Sequence, residues 1–314
     1  MAPSFAPWQI DLARIEGALP FVPDRVARVL AMRALRRMWA VHVRDYPFDT
    51  IGLEHNPGLE AGELMRSWYT DQRRDFLSWV SRRGPPPLAR AARSAIAAKG
   101  LTERWTEAYV DAGTALDRLE SLLPSHDPVA TLTEWIRQLR EEEVPFFEGG
   151  TEIGLFKGHA FDRPAPKGAA WAASLAAAVR PQLFALGPAP FGLAGLMPRE
   201  VFRAAPERSA ATILAESIGT AVKHVRADLK AAHNGTAIGA ERLASRYASS
   251  RAPDAWQLLL GLGPLTRAEL ARGLGVTPRT ASQAAAALQS AKLVQARSGD
   301  GALVVDSDAL DAKA

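Results

Sequence analysis

The feature that most restricts how this chain can fold lies between Asp254 and Asp306, in DAWQLLLGLGPLTRAELARGLGVTPRTASQAAAALQSAKLVQARSGDGALVVD. The segment parses into a first helix, Asp254 to Leu262, whose Trp256, Leu259 and Leu260 point to a core. Thr266 caps a second helix with Leu270, Ala271 and Leu274 inward, and Thr277 caps a third with Pro278 in its first turn, where the missing N–H costs nothing. Gly275, between the last two, is the residue type that enters the left-handed conformation freely. Leu293 to Ala296 and Ala302 to Val305 read as two short strands around the hairpin turn Gly299-Asp300-Gly301. Helix, helix, turn, helix and a two-stranded wing is the order of a winged helix-turn-helix. Ala271, Ala281 and Ala284 are small enough for the paired helices to cross closely, with Leu270 and Leu288 closing the core on either side.

A third helix of this kind, residues 277–291, enters the major groove with its N-terminal residues near base edges. The side chains it would offer are Thr277, Pro278, Arg279, Thr280, Ser282 and Gln283. Arg279 could read guanine and Gln283 adenine through paired hydrogen bonds. Thr277 and Thr280 could hold phosphates beside the helix N-terminus, and Arg297 of the wing could reach the minor groove or the backbone. Against this, Ala284 to Ala287 carry no donors and Arg279 is the only strong cation of the helix, so a protein-docking role is the rival. The stretch ELARGLGVTPRTASQAAAAL resembles the helix-turn-helix of winged-helix regulators of the MarR and GntR kind, which implies DNA binding. The last third, carried by PERSAATILAESIGTAVKHVRADL and ERLASRYASSRAPDAWQLLLGLGPLT, is also similar to uncharacterised alphaproteobacterial helix-turn-helix proteins, many of them plasmid-borne. That second likeness implies nothing beyond DNA binding.

The 314 residues leave room for two domains, or one large domain with a small appendage. No cysteine is present, which excludes disulfides, thiolate nucleophiles and Cys-ligated zinc. No apolar run reaches the roughly 18 residues of a membrane span. The N-terminal stretch lacks a basic region followed by an apolar core, so a cytoplasmic protein with no membrane partner is expected. Alanine and arginine enrichment suggests a GC-rich bacterial genome. The net charge of +4 is mildly basic, and residues 251–305 carry six Lys and Arg against three Asp and Glu. The charge turns acidic again at Asp306, Asp308 and Asp311.

Upstream, helical periodicity dominates. Helices are expected over about Pro23–Arg44, Glu60–Arg82, Leu88–Ala98, Thr102–Leu123 with Thr102 as N-cap, and Val129–Glu143. An irregular Gly/Pro-rich segment, 145–168, has room for a short hairpin. An Ala-rich helix, Gly168 to Leu186, and a second Gly/Pro stretch, Gly187 to Pro198, follow. A long helix would start at Pro206 and stop at Asn234-Gly235, and another would span Thr236 to Ser249. The expected fold is mainly α: a large helical domain, 1–250, a winged helix-turn-helix, 251–306, whose wing is the one firm sheet, and an acidic tail, 307–314.

Other constellations carry less chemistry. No HExxH, GxSxG or Walker loop occurs, Lys157 among Gly149, Gly150, Gly154 and Gly158 having the wrong spacing for the last. His224 and Asp228 share a helix face and read as a solvated pair; Glu141 to Glu143 read as a solvated helix end. Arg25, Arg28, Arg33, Arg36, Arg37 and Arg44 form either a phosphate-binding stripe or a mostly solvated face. Trp68, Trp79, Trp105, Trp135 and Trp171 read as packing. The expected function is a regulator that binds double-stranded DNA as a homodimer, without cofactor or metal, the helical domain supplying the dimer surface or taking a small-molecule effector. An enzyme in the helical domain, marked by a convergent polar pocket among residues 145–200, is the other alternative.

Overall fold

The structure, a computed structural model, describes residues 6–42, 74–103, 110–125, 127–141, 151–156, 159–164, 169–185, 189–198, 201, 209–244 and 250–307. Arg44, Leu64, Trp68, Trp105, the side chain of Trp171, Glu142 and Glu143 lie outside them. The chain runs through α1 (Pro7–Ala18), α2 (Asp24–His42), a helical stretch at 74–83, α3 (Pro86–Lys99), α4 (Val110–Ser121) and α5 (Pro128–Glu141). Next come the strands β1 (Thr151–Phe156) and β2 (His159–Pro164), then α6 (Ala169–Ala178) and α7 (Ala210–Leu243). The last part is α8 (Ala252–Leu262), α9 (Arg267–Leu274), α10 (Pro278–Ser290), β3 (Val294–Ala296) and β4 (Leu303–Val305). The fold is mainly α, as the periodicity predicts. Among the described residues, no helix is long and apolar enough to cross a membrane.

The segment 145–168 holds an antiparallel hairpin, β1 against β2, in register from Thr151 opposite Pro164 to Phe156 opposite His159. Among the described residues the wing is therefore one of two sheets. The Ala-rich helix ends at Ala178, short of the expected Leu186, because Pro181 pushes Arg180 out of the helical region to φ −115°, ψ 73°. The Gly/Pro stretch beyond it turns inward: Phe191, Leu193, Leu196 and Met197 are buried. Residues 101–103 are irregular, and the helix start expected at Thr102 runs into residues outside the described ones.

The largest departure from expectation is α7. One helix runs from Ala210 to Leu243, straight through Asn234-Gly235. Its N-cap is Ser209, whose hydroxyl accepts from the Thr212 N–H at 3.2 Å. Gly235 and Gly239 are not stops but clearances. A Cβ at Gly235 would lie 2.8 Å from Leu260, and one at Gly239 would lie 2.1 Å from the Trp256 indole. The missing side chains let α8 lie directly on the α7 backbone, and the Trp256 indole N–H donates to the Gly235 carbonyl at 2.8 Å. Helical hydrogen bonds inside a well-packed helix outweigh the weak intrinsic preference of one glycine, about 1 kcal/mol.

Around this contact the core is continuous. α8 packs on both α2 and α7, α3 packs on α2 and α9, and α1 lies along α7. Buried side chains join Leu30 and Met32 of α2 to Leu259 of α8 and Leu288 of α10 in one cluster. Trp79 and Trp135 are buried, as their spacing predicts, and so is Trp39 on α2.

His224 and Asp228 are not a solvated pair. Asp228 is buried and clamped by two arginines of α2. Arg33 donates to Oδ1 from Nε at 3.2 Å and Nη2 at 3.1 Å, and Arg37 donates to Oδ2 at 2.7 Å and Oδ1 at 2.9 Å. The arginine stripe of α2 is thereby divided: Arg33 and Arg37 hold α7, Arg36 is half-buried against Gly263, and Arg25 and Arg28 remain exposed. His224, one turn before Asp228, has a buried Nδ1 without a hydrogen-bond partner among the described residues.

Two outcomes follow from this packing. Gly239→Ala should destabilise by about 1–3 kcal/mol in urea denaturation, because the indole must move. Gly219→Ala, whose Cβ would meet only Trp8 at 3.8 Å, should stabilise by about 0.5–1 kcal/mol. Burial and then the Arg37 charge hold the His224 imidazole below its ordinary 6.5, with Asp228 opposing them. The native state thus disfavours the proton that the unfolded chain accepts, so the contribution is complete above about 6.5 and lost as pH falls through the lowered native value. Thermal melts should show wild type losing more stability between pH 7 and 5 than His224→Ala.

Candidate nucleic-acid interface

The unit that would meet DNA is built on reciprocal caps. Thr266 closes α9: its hydroxyl accepts from the Glu269 N–H at 3.3 Å, and Glu269 Oε2 accepts from the Thr266 N–H at 2.8 Å. Two orphan donors of the first turn are satisfied at once. The other carboxylate oxygen, Oε1, accepts from Lys99 Nζ at the end of α3, 3.1 Å away, and both side chains are almost fully buried. Arg272 Nε donates to the Ala98 carbonyl at 3.1 Å, capping the C-terminus of α3. So α9 is docked on α3 by an ion pair and a capping bond. The Thr266–Glu269 cap is a sequence-readable T-x-x-E pattern; its tie to Lys99 is not, since the partner is remote in the chain.

Gly275 makes the turn in the left-handed conformation, φ 61°, and its N–H donates to the Arg272 carbonyl at 3.1 Å. Val276 follows by donating to the Ala271 carbonyl at 3.0 Å. The chain then enters α10 at Thr277, whose hydroxyl accepts from the Thr280 N–H at 3.2 Å, with Pro278 in the first turn. Ala281, Ala284, Ala285, Ala287 and Leu288 are buried, so the alanines expected at the helix crossing form its inner face.

The outer face follows by elimination. Pro278, Arg279, Ser282, Gln283 and Ala286 are exposed, and the spacing from Arg279 to Gln283 to Ala286 sets them on one stripe. Thr277 is exposed and Thr280 half-buried, and their hydroxyls lie 3.0 Å apart within the cap. Six of the seven expected site residues therefore share the first turns of α10.

Arg297 stands apart on the wing. β3 and β4 pair from Val294 opposite Val305 to Ala296 opposite Leu303, and Leu265 adds a rung beside Leu303, its N–H donating to the Leu303 carbonyl at 3.3 Å. At the hairpin tip, Arg297 Nε donates to Asp300 Oδ1 at 3.1 Å, and Nη2 donates to Oδ2. Asp300 also accepts from the Ala302 N–H at 3.0 Å. The Arg297 hydrogen bonds, then the Ala302 amide, hold the Asp300 carboxyl at about 2, so the arginine faces a carboxylate throughout the neutral range. Two exposed cations escaped notice in the sequence: Arg267 at the start of α9, and Lys292 at the α10–β3 turn with φ 53°. Arg267, Arg279 and Lys292 have no ion-pair partner among the described residues.

Residues 241–313 match the family model of the Crp-like helix-turn-helix domain. This supports a C-terminal helix-turn-helix and points to DNA binding. It bears on that element, not on the likeness to MarR and GntR regulators or to the alphaproteobacterial proteins. No curated protein and no solved structure matches the chain.

The crossing has a direct test. Ala281 is fully buried, so Ala281→Leu should destabilise by about 1–3 kcal/mol through overpacking, read by urea denaturation. Ser282→Ala, one residue on and exposed, should change stability by less than about 0.5 kcal/mol.

Proposed function

We propose that this protein is a sequence-specific transcriptional regulator that lays α10 in the major groove of double-stranded DNA. The observation that carries the reading is the exposed stripe of Arg279, Ser282 and Gln283 at the N-terminal end of a helix whose opposite face is locked into the Crp-like unit. Arg279 matches the two acceptors of guanine and Gln283 the donor–acceptor pair of adenine. Pro278 has no N–H and the Thr280 N–H is held by the Thr277 hydroxyl, so the Arg279 amide and the positive helix end are what the first turn offers a phosphate. Two copies on paired half-sites would multiply the modest affinity of a surface with few cations. Arg297 contributes less than a free arginine, because Asp300 neutralises it.

Selection of bound fragments from random DNA, followed by fluorescence anisotropy across a salt series, tests the reading. Arg279→Ala should weaken the preferred site by roughly 1–3 kcal/mol and relax one base pair. Asp300→Ala should remove a negative charge from the wing tip beside Arg297, tighten binding to all sequences alike and steepen the salt dependence by up to about one unit. Absence of salt-dependent DNA binding, or specific binding indifferent to Arg279→Ala, would put the exposed face of α10 to protein docking instead.

A further inference from the structure

The geometry points to a binding site for a small anionic molecule with an apolar body, in the cavity between α1, α2 and α3, placed to act on the helix-turn-helix. The regulatory half of this inference rests on the DNA-binding reading above. The cavity, open to solvent on one side, has a volume of about 1030 Å³, just above the roughly 300–1,000 Å³ of small-molecule sites. Packing of α2 on α3 makes its walls. Asp24, Ala27, Arg28 and Ala31 line it from one face of α2, and Pro87, Arg90, Ala91 and Ser94 from one face of α3. Leu19, Val22, Ala189 and Pro190 also line it.

Two features specify the ligand. Arginines reach the cavity from both helices, Arg28 from α2, and Arg90 and Arg93 from α3. Arg93 donates to the Ser81 carbonyl at 3.2 Å. Arg28 and Arg90 have no ion-pair partner among the described residues, although Glu16 and Asp24 also line the cavity. The planar guanidinium matches a carboxylate or phosphate with paired hydrogen bonds, so two such groups lining one space from two helices offer an anion charge from both sides. Ala27 and Ala31 of α2 and Ala91 of α3 line the same space, and their short side chains leave width for an apolar body.

The same two helices run on to the helix-turn-helix. Beyond Arg90 and Ser94, α3 ends in Ala98 and Lys99, the residues that hold Arg272 and Glu269 of α9. Beyond Arg28 and Ala31, α2 presents Met32 to Gly261 and Arg36 to Gly263 at the end of α8. An anion bridging Arg28 and Arg90 would reset the spacing of α2 and α3, and through these contacts the seat of α8 and α9.

Isothermal titration of the full-length protein with hexanoate, benzoate and phenyl phosphate at millimolar concentration tests the site, with hexanol and benzyl alcohol as uncharged counterparts. At least one anion should bind, its alcohol should not, and Arg28→Gln with Arg90→Gln should weaken binding at least tenfold without shifting the melting temperature of the free protein. No binding by any anion, or binding that ignores both substitutions, overturns the site. DNA affinity is then measured with and without the bound anion: a change of threefold or more supports the coupling, and no change overturns it while leaving the site. If the two substitutions instead weaken DNA binding without any anion and flatten its salt dependence, the arginines are phosphate contacts and the proposal fails. A protein that binds the anion but no DNA overturns the regulator reading alone.

Discussion

The arrangement depends on how Trp256 is seated. Its indole lies where the side chains of α7 are absent, at Gly235 and Gly239, and its N–H meets the Gly235 carbonyl. A buried tryptophan lost to alanine costs about 3–5 kcal/mol, and here the loss would fall on a helix with two duties. α8 is the first helix of the helix-turn-helix, and it is also the strut packed between α2 and α7. The sheet rung at Leu265, the cap at Thr266 and the crossing with α10 all follow in sequence from the direction in which α8 leaves that seat.

Buried charges fix register at two further points. Asp228 is shared by Arg33 and Arg37, and Glu269 by Lys99 and the Thr266 backbone. Burying such groups is costly, and an apolar replacement can be equally stable, so net stability is a weak reason for them. What they forbid is a slipped neighbour. A turn's displacement of α7 on α2, or of α9 on α3, would leave a carboxylate buried without its cation, at a cost of about 3–5 kcal/mol.

The helix-turn-helix was legible because its signals are local. A threonine cap, a proline in a first turn, a glycine in the left-handed region and alanines at crossing positions lie within a few residues of the features they determine. The same rules misled at Asn234-Gly235, where glycine answers to Leu260 and Trp256 rather than to its own helix. They misled at Asp228 as well, because its partners lie on α2 and no spacing within α7 announces them. The stop of α6 was readable in principle, since Pro181 stands beside it; the alanine composition outweighed it in the sequence. Within the candidate site, the exposed stripe of α10 was readable from periodicity, whereas the neutralisation of Arg297 by Asp300 depends on the closing of the hairpin tip.

These contacts bear on what kind of motion could regulate α10. A helix-turn-helix hung on a linker moves as a unit, and its affinity is insensitive to the body it hangs from. Here α8 and α9 each rest on a helix of the body, and Leu288 of α10 belongs to the same buried cluster as Leu30 of α2. Free reorientation would expose that cluster and separate Lys99 from Glu269. The accessible change is therefore a small shift of packed helices, with side-chain contacts kept and the angle of α10 altered. In the proposed regulator, a shift of this kind would change how two recognition helices in a pair are spaced, and spacing is what a duplex with its fixed helical repeat discriminates.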